Sequence, residues 1–224
     1  MTNTLHRYGN AESFSDDYII FAIPSIGKND EDCIPKMQQF LRICAKYSPV
    51  NLGNGTLSGF GPEKGLNPTA HWRRKVAPDW EKVIEGIKKP GTVAAVFATK
   101  EKTQACFQEV HEANFGLSIN ISTSVENAKQ IGKGCDINRH SVEYALKFND
   151  PHNHLPNSQI LGLSTMCGHG MVSFNLARKM LDMVREGRRT PDQAVATLVR
   201  FCPCGVYNPQ RAKRLLEAAC KVSK

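Results

Sequence analysis

Two short stretches of the chain carry most of the residues that can do chemistry: STMCGHGMVS at 164–173 and FCPCGVYNP at 201–209. Together they hold Cys167, His169, Cys202 and Cys204. Glycine and proline punctuate both, so these side chains stand in junctions between regular elements, where chains put ligands more often than core packing. A thiolate is a nucleophile and a soft metal ligand, and imidazole is the commonest metal-binding side chain. The set therefore predicts a metal or thiolate site.

Three chemistries follow from it. Cys167, Cys202 and Cys204 as three thiolates would hold a [4Fe-4S] cluster with one iron free to take a substrate hydroxyl, carboxylate or sulfur as a Lewis acid. Adding His169 makes a Cys3His set, which suits tetrahedral zinc and closes the site. Without a metal, Cys167 would be a nucleophile with its pKa lowered by the helix start that follows, His169 or His140 its base, and Cys202 or Cys204 the resolving thiol. The Cys-x-His and Cys-x-Cys gaps are tighter than the two-residue gap of zinc knuckles, which favours the cluster.

The leading expectation is thus an iron–sulfur metalloenzyme doing non-redox lyase chemistry, dehydration or desulfuration, on a small anionic substrate. His169 or Ser173 would be the catalytic proton carrier. Arg73, Arg74 and Lys100 would steady the anion, with Ser122, Thr123 and Ser124 as further substrate contacts. The rival expectation is a zinc-stabilised nucleic-acid-binding or regulatory protein. Its support is the net charge of +8, concentrated at 71–75 (HWRRK), 185–189 (REGRR) and 211–214 (RAKR).

The chain has eight cysteines, and the remaining five read differently from the three above. Cys33, Cys44, Cys106 and Cys220 fall in helical apolar patterns and read as small buried hydrophobes. Cys135, in GKGCDINRH, is the other nonhelical cysteine and could join either the metal or the thiol site, but it reads first as a simple loop residue. His152 and His154, in DPHNHLPN, form a His-x-His pair that reads as solvated. No phosphate-loop spacing occurs, nor any dinucleotide, kinase, hydrolase or ferredoxin signature. No window approaches the ~18 apolar residues of a membrane span, and the polar N-terminus lacks a signal-peptide core. A cytoplasmic protein without membrane partners is expected, and there cysteines serve metals, catalysis or burial rather than disulfides. Self-association is left open.

The elements that must position these residues read clearly. Apolar β-branched runs predict strands at 17–24 (DYIIFAIP), 92–98 (TVAAVFA), 117–121 (LSINI) and 142–148 (VEYALKF), with a brief one near 50–52. Apolar spacing predicts helices at 33–47, 78–89, 99–114 and from 125, the last capped within Ser122–Thr123–Ser124. Residues 1–16 read as a loose arm, and 53–79 as a long glycine-rich loop. Alternating strands and helices predict an α/β fold, a largely parallel sheet with flanking helices over residues 1–155. After a proline-rich connector the pattern is helical throughout, so residues 156–224 read as a small C-terminal helical subdomain carrying the cysteine site. Its helices are announced at Ser173, at Thr190-Pro191-Asp192 and at Asn208-Pro209.

Overall fold

A computed structural model describes residues 7–57, 79–139, 141–143, 149–150 and 152–221. The chain forms strands β1 (Tyr18–Ile23), β2 (Asn51–Asn54), β3 (Val93–Phe97) and β4 (Ser118–Ser122). Helices α1 (Cys33–Lys46), α2 (Trp80–Glu85), α3 (Lys100–Ala113) and α4 (Val125–Gly134) alternate with them. Four further helices follow: α5 (Ser158–Ser164), α6 (Phe174–Arg185), α7 (Pro191–Arg200) and α8 (Pro209–Lys221).

The sheet is antiparallel throughout, in the order β2-β3-β1-β4, which overturns the expected parallel sheet. β1 pairs with β3 from Tyr18↔Phe97 to Ala22↔Val93 and with β4 from Ile19↔Ser122 to Ile23↔Ser118. The strand–helix alternation was sound, but each crossover skips a strand. The β1-α1-β2 unit leaves room for β3, and the β3-α3-β4 unit leaves room for β1, so two split βαβ units interlock and every neighbour runs the opposite way. Both faces of the sheet are covered, so β1 and β3 are apolar at nearly every position, a signal otherwise typical of parallel strands.

On one face Tyr18, Ile20, Ala22, Leu52, Ala95 and Phe97 pack against the apolar sides of α1 and α3. On the other, Ile19, Phe21, Ala94 and Val96 share a core with α5–α8. The C-terminal helices thus close their core on the sheet. Their starts are built as their sequences announce. Ser173 accepts from Leu176 N, Thr190 and Gln193 form a reciprocal capping box with Pro191 behind it, and Asn208 accepts from the Gln210 and Arg211 amides.

Residues 7–17 are not the loose arm expected. Arg7 reaches both carboxylate oxygens of Asp17 at 2.5 Å, and Arg211 of α8 reaches the same carboxylate at 2.9 Å. All three side chains are at most 3% exposed. Arg211 also donates to Tyr8 O and lies 4.4 Å over the Phe14 ring. Buried charges are retained only when paired in this way. The triad pins the chain's start to its last helix.

Several expectations fall outside the described residues: the loop segment 58–78 with Arg73 and Arg74, His140, and residues 144–148 of the expected fourth strand. Val142 and Glu143 are described and lie in no strand.

Candidate metal centre

The loop after α7 lies flat on the sheet because β2 makes space for it. A Cβ on Gly53 would stand 2.7 Å from the Cys204 carbonyl oxygen and 3.4 Å from Val206, so only glycine permits this approach. Three side chains then fix the loop. Asn51 of β2 donates to Tyr207 O at 2.8 Å, Arg7 donates to Val206 O, and the Tyr207 hydroxyl donates to Leu163 O at 3.0 Å. The last bond ties this loop to α5, which leads into the second loop.

That second loop turns tightly. Cys167 N donates to Ser164 O and Gly170 N returns to Cys167 O, while the Ser164 hydroxyl holds Val172 O. Gly170 takes φ +72°, the left-handed conformation that glycine supplies without strain. Amides of His169 and Met171 point at the Cys167 sulfur.

The two loops bring all four sequence-selected side chains together. Cys202 Sγ stands 3.8 Å from Cys204 Sγ, Cys204 Sγ stands 3.5 Å from His169 Nδ1, and Cys167 and Cys202 share a hydrogen bond. The cysteines are 2% exposed or less, and His169 is half-buried. Among the described residues, no three or more His, Cys, Asp or Glu side chains are gathered tightly enough to hold an ion as they stand. The contacts run pairwise, Cys167 to Cys202 to Cys204 to His169.

Electrostatically the site is poised between two states. The hydrogen bond with Cys202 and then burial push the Cys167 thiol far above its usual range, and the His169 and Met171 amides offset this only in part. That reverses the lowering expected from a helix start: α6 begins seven residues later, at Phe174. Without a cation Cys167 keeps its proton, whereas a bound cation would deprotonate it outright. Burial, then Cys202 and Cys167, likewise push the Tyr207 phenol well up, which keeps it a donor. Tyr207 also feels Arg211 and Arg7 of the buried triad. Two guanidiniums against one carboxylate leave that region one positive charge in excess.

The other selected residues go elsewhere. The Ser173 hydroxyl is occupied as the α6 cap, and Ser124 caps α4 through Asn127 N at 3.2 Å. Ser122 pairs with Ile19 in the ladder and, with Thr123, lines a cavity beside β4. Lys100 binds the Gln130 side chain of α4. Cys33, Cys44, Cys106 and Cys135 belong to the core on the far face, with Cys44 and Cys106 sulfurs 3.6 Å apart. His152 and His154 are exposed neighbours, ring centroids 5.7 Å apart.

Sequence reasoning missed the supporting residues: Gly53, Asn51, Tyr207 and the Arg7–Asp17–Arg211 triad. FCPCGVYNP contained Tyr207, yet nothing in the order of residues links Asn51 or Arg7 to it. Comparison with protein-family models, with curated proteins and with solved structures finds no match for this chain.

Proposed function

We propose that this chain is a metalloprotein whose centre is formed by Cys167, His169, Cys202 and Cys204 and takes a single four-coordinate divalent ion, zinc by ligand type. The observation that carries the reading is spacing. Ligand atoms about 2.0–2.3 Å from one tetrahedral ion stand about 3.5–3.8 Å from each other, and the Cys202–Cys204 and Cys204–His169 separations are 3.8 and 3.5 Å. Charge adds support: three thiolates on a divalent ion carry one net negative charge, which offsets the excess of the neighbouring triad. In this role the ion ties the 165–173 and 201–208 loops together and holds α5–α8 on the sheet. Closing the set asks for side-chain rotation at Cys167 and His169.

The iron–sulfur lyase remains the second reading, with one observation in its favour. His169 is the least buried of the four, so a fourth position could face outward toward a substrate. Against it, thiolates of a cubane sit on separate irons, farther apart than two that share one ion. The regulatory, nucleic-acid-binding reading draws little from the two of its basic clusters that are described, 185–189 and 211–214. Arg211 is buried, Arg214 and Lys213 pair with Asp16 and Asp192, Arg188 pairs with Glu186, and Arg185 and Arg189 bond Gln159 and Thr197. The thiol-enzyme reading has to overcome the raised pKa of Cys167.

Zinc, iron and acid-labile sulfide analysis of protein prepared without oxygen separates these readings. About one zinc per chain without sulfide is expected. Iron with matching sulfide would replace the proposal by the lyase, and neither metal would leave the thiol chemistry.

A further inference from the structure

α1 and α3 pack side by side on the sheet face away from the metal centre, and a cysteine from each meets the other there. Cys44 of α1 and Cys106 of α3 bring their sulfurs to 3.6 Å, with neither side chain exposed. We propose that these two thiols are a redox latch, closed by hydrogen peroxide to a reversible disulfide between α1 and α3, and this does not rest on the metal centre. Disulfide sulfurs stand about 2.0 Å apart, so the pair has to close by about 1.6 Å, within reach of small side-chain rotations. Among the described residues, Cys33 and Cys135 of the same core have no sulfur partner; the Cys135 thiol faces the Gln104 carbonyl instead.

The cover over the pair is one turn deep. Tyr47 follows Cys44 by three residues and Glu109 follows Cys106 by three, so they stand on the same seam at the next turn. The Tyr47 hydroxyl donates to Glu109 at 2.7 Å, and Lys46 pairs with the same carboxylate. Tyr47 and Glu109 are both half-buried, so solvent reaches the outer side of this cover. The Glu109 hydrogen bond and then burial push the Tyr47 phenol up to about 12, which keeps it a donor near neutral pH. Cys44 itself lies in the last turn of α1, which ends at Lys46, with Ser48 at φ +52° and Pro49 beyond. Final turns lack part of their backbone hydrogen bonding and open at low cost. Opening there admits peroxide together with water, and water restores the thiolate that burial suppresses in Cys44. One thiolate then attacks the peroxide: the O–O bond breaks, a sulfenic acid forms, and the departing hydroxide takes up the thiol's proton as water. The second thiol attacks that sulfur, the S–S bond forms and a second water leaves. Two thiols and one peroxide give one disulfide and two waters, the sulfurs losing the two electrons that the peroxide gains.

The test treats the full chain with hydrogen peroxide, digests it without reductant and maps linked peptides by mass. A link between Cys44 and Cys106, two hydrogens lighter than the free pair and reversed by dithiothreitol, is expected, and it should disappear in Cys106→Ser. Tyr47→Phe and Glu109→Gln each remove the covering hydrogen bond and should speed the link about fivefold. Oxidation of the half-buried Cys220 in the same digest reports that the peroxide was active. No link between Cys44 and Cys106 once Cys220 is oxidised, links shared equally with Cys33 or Cys135, or an unchanged rate in both folded cover variants would overturn the proposal.

Discussion

Replacing Asp17 by Asn should cost this protein more stability than almost any other single polar substitution. The carboxylate receives Arg7 through both oxygens, Arg211 and Asn208, with side-chain exposures of 1% for Asp17, 3% for Arg7 and 1% for Arg211. Asn keeps the shape but leaves two guanidiniums buried against no charge. Removing one partner of a buried ion pair costs about 3–5 kcal/mol, out of a total of roughly 5–15 kcal/mol for a domain. With a urea dependence of about 1–3 kcal/mol per molar, the unfolding midpoint should fall by about 1 M or more. The acid limb gives an independent check. Burial alone would raise the Asp17 pKa, but Arg7 and then Arg211 overcome it and hold it below the ordinary 3.8. Its contribution is therefore complete above that value and is lost as pH falls through the lower folded value. Wild type should lose stability there more steeply than Asp17→Asn. Adding Arg211→Met to Asp17→Asn should restore part of the loss by removing one stranded charge. A loss of about 1 kcal/mol or less, the size of an exposed pair, together with identical acid limbs, would refute the reasoning.

Other outcomes follow from the same geometry. Gly53→Ala should destabilise by about 1–3 kcal/mol, because the new methyl meets the Cys204 carbonyl at 2.7 Å and must displace the loop; thermal melts with metal analysis would register both the instability and a loosened ion. Cys106→Ala, on the far face beside Cys44, should cost about 1 kcal/mol in urea unfolding and leave metal content unchanged.

The sequence made the helices and their caps legible because those signals are local: Ser124, Ser173, Thr190 and Asn208 each cap the helix they precede. It also made Cys167, Cys202 and Cys204 stand out, since glycine and proline set them apart from cysteines on helical faces. The direction of the strands was hidden. YIIFAI and VAAVF are apolar because helices cover both faces, and that burial says nothing of which strand lies beside which. The inner shell was hidden for a related reason. Arg7 looks like any polar residue near a chain start, and only long-range closure through Val206 and Asp17 gives it a buried role. The basic run at 211–214 misled in the same way, because charge in sequence does not reveal which guanidinium turns inward.

The central claim is that Cys202 and Cys204 share one ion with Cys167 and His169. It is tested most directly by metal stoichiometry measured side by side in wild type, Cys202→Ser and Cys106→Ser, all purified without oxygen. About one zinc per chain in wild type and in Cys106→Ser, with the metal lost or its affinity cut at least tenfold in Cys202→Ser, is the predicted result. Equal metal in all three, or none in wild type, would contradict it.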